Sequence, residues 1–593
     1  MAKAFGELRK GLTTNQIPIE KATYLKSHLQ LSSNEWTDLR IALSDFTRLP
    51  TKDELREYVK KFLPQRIDKE HGVFFDLYEA VHLTLLRLPK SVKDKMAASL
   101  ENGSTVLVRF AGGMDTSGGH RVYNSASSLA ENVDTTHMFF GGVSLVHIKA
   151  HDGSRETLYK NKNAASVDAE RPIMIFPGKE TPAKSKVAHD WFTDGYNRLK
   201  ANPPVLDLNG KKVRCLVELL FTQIDAKQRS IASGLGGAFC LNCYATQADA
   251  QDLDRIRQGF RIERDMDSVK KYWEKYKMLW HTGEFILPRG RKDRNGQTGE
   301  PLTNFDIVYD FSILHCRIRA LYFFERLMYR LHCQIHNWSI TAKKNPTGKK
   351  ALDDAEDDFK LQVRKILKIK IDMPNPFGGT SDSGNTAERF FEATCRDELV
   401  DSVNTTPYLK ECLKSIHKKF SIILRVLSSG RKIHTEEFNQ YCYEAYEELM
   451  TSFPWARPSP TVHAFLAHGA ERVQINDGYG LKTLSEQGLE GMHKLIRLYR
   501  ENAARKTNLM DNLWDVIKTM WIRTDPEIQG YKRVILCSFC HQEGHTVKSC
   551  KELKKTGAAL DDDRIVEQFF DGNDEDGSLK STLENATLKY YKE

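Results

Sequence analysis

The sequence predicts a mixed α/β sheet domain set within a mainly helical protein, and three observations carry that prediction. Three runs rich in β-branched and aromatic residues, STVLVRFAG, THMFFGGVSLVHIKA and VRCLVELLFTQI, read as strands. Between the second and third lies SKVAHDWFTDGYNRLKAN, an amphipathic helix pattern, and strands followed by a helix and another strand imply a mixed sheet over 102–235. Beyond that window the apolar spacing turns helical, as in DSVKKYWEKYKMLW, CRIRALYFFERLMYRLHCQIHNW and TEEFNQYCYEAYEELM.

In chain order, residues 1–60 and 61–101 are expected to be helical, with Ser32 and Glu35 forming a capping box. The sheet domain follows, then a helical region over 236–475 interrupted by polar loops such as PRGRKDRNGQTGEP. A helix starting near 484 runs basic through HKLIRLYRENAARK, within a segment placed at 476–529. Thr483 and Glu486 read as its capping box, which leaves Glu490 one turn further in. A cysteine-rich module occupies 530–556 and an acidic tail 557–593.

At 593 residues the chain is long enough for several domains of about 100–200 residues each. Its 40% hydrophobic and 28% charged content is that of a soluble globular protein. No run approaches the roughly 18–20 uncharged apolar residues of a membrane helix, so no membrane role is expected. MAKAFGELRKGLTTNQ lacks an apolar signal core, so secretion is not expected either. Eleven cysteines, with two CxxC pairs, point to reduced thiols and metal sites rather than disulfides. The net charge of +9 includes a strongly acidic tail, so the remainder is more basic still and suits a polyanionic partner.

The strongest local motif is CSFCHQEGHTVKSC. Cys537, Cys540, His545 and Cys550 follow C-x2-C-x4-H-x4-C, the spacing of a zinc knuckle, a module that commonly contacts nucleic acid. A second dithiol, Cys240 and Cys243 in CLNC, has no close third ligand. A tetrahedral site there needs two distant residues, and His332/His336 and His463/His468 are close histidine pairs that could supply them. Five residues on a helix turn about 500°, so His463 and His468 would point about 140° apart.

Three acids complete the set. Asp115 follows a strand in the glycine-rich turn AGGMDTSGG, Asp225 ends the apolar strand VRCLVELLFTQI, and Glu490 stands on the late helix. Alone, each has a plainer reading: turn aspartates for the first two, an i,i+4 pair with Lys494 for the third.

Taken together, MDTSGGHRVYN, FTQIDAK with CLNC, MPNPFGGTSDSGNTAERFF at 373–391, and TVHAFLAHGA with LSEQGLEGMHKLIRLYRENAARK resemble the RAG-type recombinase and Transib transposase family over residues 10–530. The added knuckle makes the chain most similar to the invertebrate ProtoRAG-type transposases. It departs from the full recombinase in lacking the RING-bearing N-terminal region and a clear nonamer-binding domain.

The resemblance implies an RNase H-like core over 102–235 in which Asp115, Asp225 and Glu490 hold two Mg²⁺ or Mn²⁺ ions. It also implies a split zinc site of Cys240, Cys243, His463 and His468 within the helical insertion, for about two structural Zn²⁺ per chain with the knuckle. The two rings then fit one metal only if the His463–His468 segment bends or uncoils. The implied reaction is nicking at terminal inverted repeats of double-stranded DNA, hairpin formation on the flank, and strand transfer, without a covalent protein–DNA intermediate. A nuclear homodimer is implied, with residues 1–60 helping dimerise it and grip DNA. Some members also use a kelch-propeller accessory subunit; Transib enzymes work without one. Lys494, Arg497, Arg500 and Arg505 are the candidate phosphate contacts, weighed against a solvated helix face. The rival readings are a domesticated, non-cleaving DNA-binding protein on the same scaffold and a retroelement-like nucleic-acid binder built around the knuckle.

Overall fold

The computed structural model describes residues 16–44, 47–120, 133–152, 154, 156–236, 240–281, 296–305, 312–335, 346–368, 383–532 and 557–571. The chain divides into two compact units. The first comprises 1–224, 302–305 and 483–533; the second comprises 225–301, 306–482 and 534–593.

The first unit is built on one mixed sheet of eight strands. These are β1 (Ile67–Lys69), β2 (Gly72–Phe74), β3 (Thr105–Ser117), β4 (Met138–Ala150), β5 (Thr157–Lys160), β6 (Arg171–Pro177), β7 (Val205–Leu208) and β8 (Lys211–Gln223). Their order is β1-β2-β6-β4-β3-β8-β7, with β5 paired to β4. β3 runs antiparallel to β4 and parallel to β8. The parallel step needs a crossover, supplied by the Pro182–Ala201 helix, which Thr181 caps and Pro182 opens. Phe192 on that helix meets Phe221 of β8 at 5.0 Å between ring centroids, fixing the helix against the sheet. β4 lies in the middle and is buried along almost its whole length, which is why its sequence is mostly apolar rather than alternating.

The three expected strands and the crossover helix are present, but the sheet is larger than the sequence reading allowed. β6 was missed: RPIMIFP is buried at every position, so it shows no period of two. The β7–β8 hairpin turns at Asn209 and Gly210, both at positive φ, the Asn-Gly signature of a two-residue hairpin. The 61–101 stretch, expected to be helical, opens instead with the β1–β2 hairpin, and its two helices, Leu77–Leu86 and Lys90–Ser99, come after. Strands of three residues are too short to show a period, and β2 is held by pairing with β6. The Ser32–Glu35 capping box is present.

The second unit is helical among its described residues. Long helices span Met266–His281, Ile313–Ile335, Pro346–Leu367, Pro407–Leu427, Thr435–Ser452 and Pro460–Ile475. Phe324, Phe390, Phe391 and Phe420 form an aromatic core around the buried His417. Burial, with Arg396 adding to it, pushes the His417 imidazole down to about 3, so it stays neutral there. The chain passes between the units at Ile224/Asp225, Pro301/Leu302, Phe305/Asp306, Lys482/Thr483 and Arg533/Val534.

The acidic tail needs correction. Residues Gly557–Gln568 form a helix whose acids pair with basic side chains of the second unit. Asp561 meets Lys418 at 2.5 Å, Asp563 pairs with Arg425, and Glu567 accepts two 2.8 Å bonds from Arg431. Asp562 is fully buried and holds Arg396 through both carboxylate oxygens. Phe569 and Phe570 are buried behind them. A charge run reads as solvated tail only when nothing opposes it; here the opposing charges lie more than a hundred residues earlier. Asp562→Ala should therefore destabilise the second unit by about 3–5 kcal/mol, because it strands a buried guanidinium. Urea unfolding checks this; a loss below 1 kcal/mol would be that of an exposed pair.

Candidate metal centres

The carboxylate site begins with two parallel strands. Gly113 of β3 pairs with Gln223 of β8, and the strands approach so closely that a Cβ on Gly113 would lie 1.9 Å from the Gln223 carbonyl oxygen. A β-bulge between Gly112 and Gly113 accompanies this approach. Asp115 and Asp225 each stand two residues beyond that pair, at the carboxyl ends of their strands.

Asp115 is still on β3, opposite Phe140. Its Oδ1 accepts the Thr116 backbone N–H at 2.7 Å and its Oδ2 meets His493 Nε2 at 2.9 Å. His493 belongs to the Gln487–Asn502 helix, one turn beyond Glu490. That helix is seated by small residues: Gly488 faces the Ser166 carbonyl and Gly491 faces Val167, where a Cβ would stand 3.0 and 3.3 Å away. Arg497 Nη2 then donates to the Gly118 carbonyl at 2.9 Å, and Thr222 Oγ1 donates to the Leu484 carbonyl at 3.1 Å. Glu490 thus sits in the first turn of a helix pinned to the end of β3, with its side chain exposed.

The capping box expected at Thr483 and Glu486 is absent. A 3-10 turn at Lys482–Leu484 precedes the helix, Thr483 and Glu486 are buried, and the Gln487 N–H is bound by Ser485 Oγ instead. Asp225 is the N-cap of the Ala226–Ser233 helix, its Oδ1 accepting Gln228 N–H at 2.6 Å. This supplies a structural reason for an acid there and separates two roles by substitution. Asn caps as well as Asp, so Asp225→Asn should leave the melting temperature within a degree or two, whereas Asp225→Ala should cost about 1 kcal/mol. Equal losses in thermal unfolding would contradict the cap.

Of the four candidate phosphate contacts, Lys494, Arg497 and Arg505 are exposed and Arg500 is buried. Arg500 is buried, bonded to the Asn512 side chain and the Thr135 carbonyl. Arg505 is gripped by Asp515 at 2.8 and 3.0 Å and faces Asp511. Lys494 and Arg497 are exposed. The helix carries its outward cations at 494 and 497, and Arg500 falls on the inward face with Ile496 and Tyr499.

The dithiol site lies wholly in the second unit. Cys240, Cys243, His463 and His468 are all buried, and one donor atom from each lies within 4.8 Å of the others. A zinc tetrahedron with bonds of about 2.0–2.3 Å has edges of about 3.3–3.8 Å, so a contraction of about 1 Å closes the set. The cluster could therefore bind zinc.

Its supporting hydrogen bonds fit that use. Tyr446 O–H donates to the Ala250 carbonyl at 2.9 Å, so its oxygen accepts from His463 Nδ1, also at 2.9 Å. His468 Nδ1 donates to Glu471 at 3.0 Å. Both rings thereby present Nε2 inward, His463 Nε2 lying 3.2 Å from Cys243 Sγ and His468 facing Cys240. Burial opposes a thiolate at Cys240, but the Cys243 contact and the two imidazoles outweigh it and hold its pKa well below the usual thiol range. The Cys240 contact and burial push Cys243 up. Burial opposes a charged His468, yet its bonds to Cys240 and Glu471 raise it to about 9. Metal entry would have to displace these shared protons.

The segment carrying both histidines does not bend or uncoil as expected. It is an unbroken α-helix, Pro460–Ile475, capped by Ser459. The rings still converge, their centroids 5.4 Å apart and their planes at 76°, because each has two torsions to swing toward the dithiol. The alternative pair is set aside: His332 lies outside this cluster and His336 outside the described residues. The knuckle of Cys537, Cys540, His545 and Cys550 also lies outside the described residues.

Sequence reasoning missed His493, Tyr446 and Glu471. His493 and Glu471 each follow a site residue by three positions, the spacing of one helical turn, which was a usable signal. Tyr446 has none, since only tertiary packing brings it to His463.

No protein-family model matches the chain, and no curated protein does. Among solved structures, it is similar to the Drosophila P element transposase strand transfer complex, at 10% identity and a TM-score of 0.32. That match covers 89% of this chain and 99% of the other. A likeness so weak has no bearing on function. No helix among the described residues is long and apolar enough to cross a membrane.

Proposed function

We propose that the chain is a metal-dependent DNA transposase of the RAG-type and Transib kind, working on an RNase H-like core. The observation that carries this reading is the linkage of Asp115, at the end of β3, through His493 to the helix bearing Glu490. The parallel pairing of β3 with β8, the strand that Asp225 follows by two residues, supports it.

Asp115, Asp225 and Glu490 offer hard carboxylate oxygens, the donor type that Mg²⁺ and Mn²⁺ prefer. When bound, a pair of such ions activates the attacking oxygen and stabilises the leaving one. The chain's own residues have the tasks of holding the acids and receiving the DNA. The Thr116 N–H and His493 fix the Asp115 carboxylate, and the Gln228 N–H fixes that of Asp225. Exposed Lys494 and Arg497 are available to phosphates. The Cys240–Cys243–His463–His468 cluster ties the start of the second unit to a helix more than two hundred residues later, a structural use of zinc. Action on terminal inverted repeats, hairpin formation, strand transfer, a homodimeric state and nuclear residence belong to the same proposal.

The test is a nicking assay on double-stranded DNA ending in the repeats that flank the coding sequence, with Mn²⁺ or Mg²⁺. Nicks at the repeat boundary support the reading. Binding without cleavage would favour the domesticated, non-cleaving alternative.

A further inference from the structure

Resting on that reading of Asp115 as a metal-binding carboxylate, we infer that His493 is its positioning residue, setting both the orientation of Asp115 and the register of the Glu490 helix against β3. A carboxylate oxygen has two lone-pair directions. At Asp115 one direction on each oxygen is taken, by the Thr116 N–H on Oδ1 and by His493 on Oδ2. The rotation of the carboxylate is therefore fixed from two sides while one lone pair on each oxygen is left over.

Only one of those two bonds comes from outside the strand. Thr116 would hold Asp115 wherever β3 went; His493 holds it relative to Glu490, three residues earlier on the same helix. The ring is itself confined. It is 13% exposed, lies edge-on to Phe140, the residue paired with Asp115 on β4, and has a buried Nδ1 with no hydrogen-bond partner. With Nδ1 unable to give a proton to any protein acceptor, Nε2 is the nitrogen that carries hydrogen and donates to Oδ2. Arg497, one turn further, repeats the connection with the Gly118 carbonyl, so the helix is fastened to the end of β3 at two successive turns.

A surface histidine would need none of this. Groups that hydrogen-bond a metal's ligands commonly set affinity by about 10–100-fold when removed. The experiment is Mn²⁺ titration by calorimetry of the full chain, without DNA, for wild type, His493→Ala, His493→Gln, Asp115→Asn and the double variant Asp115→Asn/His493→Ala, each checked by thermal unfolding.

His493→Ala should weaken Mn²⁺ binding by about 10–100-fold. His493→Gln, whose amide N–H can replace the donor, should recover much of that loss. His493→Ala should have no further effect once Asp115 is already Asn. Wild-type affinity in a folded His493→Ala chain overturns the positioning role and leaves the reading of the carboxylates intact. Absence of Mn²⁺ binding in wild type, or wild-type affinity in Asp115→Asn, overturns both. If His493→Ala does not fold, His493→Gln decides: affinity as low as Asp115→Asn, at an unchanged melting temperature, refutes the donor role, and near-wild-type affinity supports it.

Discussion

Asp115→Asn and Glu490→Gln should each lower Mn²⁺-dependent DNA nicking by roughly 10³-fold or more, equivalent to about 4 kcal/mol or more of transition-state stabilisation. Binding to the same DNA should be kept. Each change removes one negative charge and preserves shape, so it weakens a hard-cation site without opening a cavity. Asp115→Asn also keeps one carbonyl oxygen, which the Thr116 N–H can still reach. Glu490 is exposed in the first turn of its helix, where Gln costs the fold only tenths of a kcal/mol. Asp225→Asn belongs to the same series, with the capping interaction as its internal control. The measurements are nicking on a labelled repeat-end duplex and, separately, DNA affinity at fixed salt. Nicking at the wild-type rate in either variant would remove that acid from the proposed site.

His463→Ala combined with His468→Ala should cost the folded protein one zinc ion per chain and unfold much of the second unit. Zinc at a closed structural site contributes about 10–16 kcal/mol at neutral pH. That equals or exceeds the entire net stability of a typical domain, about 5–15 kcal/mol. Both rings are also buried, with His463 against Phe260 and Tyr446, so the double change adds cavities to the lost metal. Metal content by mass spectrometry and far-ultraviolet circular dichroism on heating read the two effects. A chelator should reproduce the unfolding in wild type. Unchanged zinc content together with an unchanged melting curve would show the four residues to be a packed cluster and nothing more.

How much of each site could be read in advance differs by residue. Asp115 and Asp225 were readable as candidates because they close apolar, β-branched runs that read as strands, and a strand's end is a position the sequence marks. Their common edge was not visible, since it depends on β8 entering parallel beside β3 with Gly113 opposite Gln223. Glu490 was proposed from its motif, and the capping box assigned beside it was wrong: Thr483 and Glu486 went into the interior, and the helix began at Gln487, three residues later than that box implied. The pairing of Cys240 and Cys243 with His463 and His468 came from resemblance. Helical geometry argued against a shared metal on a straight helix, because it treats Cβ directions as ligand directions. Two torsions per histidine were enough to remove that objection. Of the basic face, Lys494, Arg497 and Arg505 are exposed, Arg505 beside Asp515, and Arg500 is buried. Periodicity could assign Arg500 to the inward face, but only the fold supplies Asp515 to Arg505.

By itself the sequence determined what is local: a mixed sheet followed by helices, the helix start marked by Ser32, and the residue types able to ligate metal. These follow from φ/ψ preference, from capping within three residues and from side-chain chemistry, none of which needs a distant partner. Tertiary structure decided the strand order, the donor facing Asp115, the acids that pair with Arg505, and the docking of an acidic helix onto Arg396, Lys418, Arg425 and Arg431. Each of these joins groups far apart in the chain, or groups whose meeting depends on how whole elements pack. Such meetings are fixed by burial and charge complementarity in three dimensions, and a linear pattern carries no record of them.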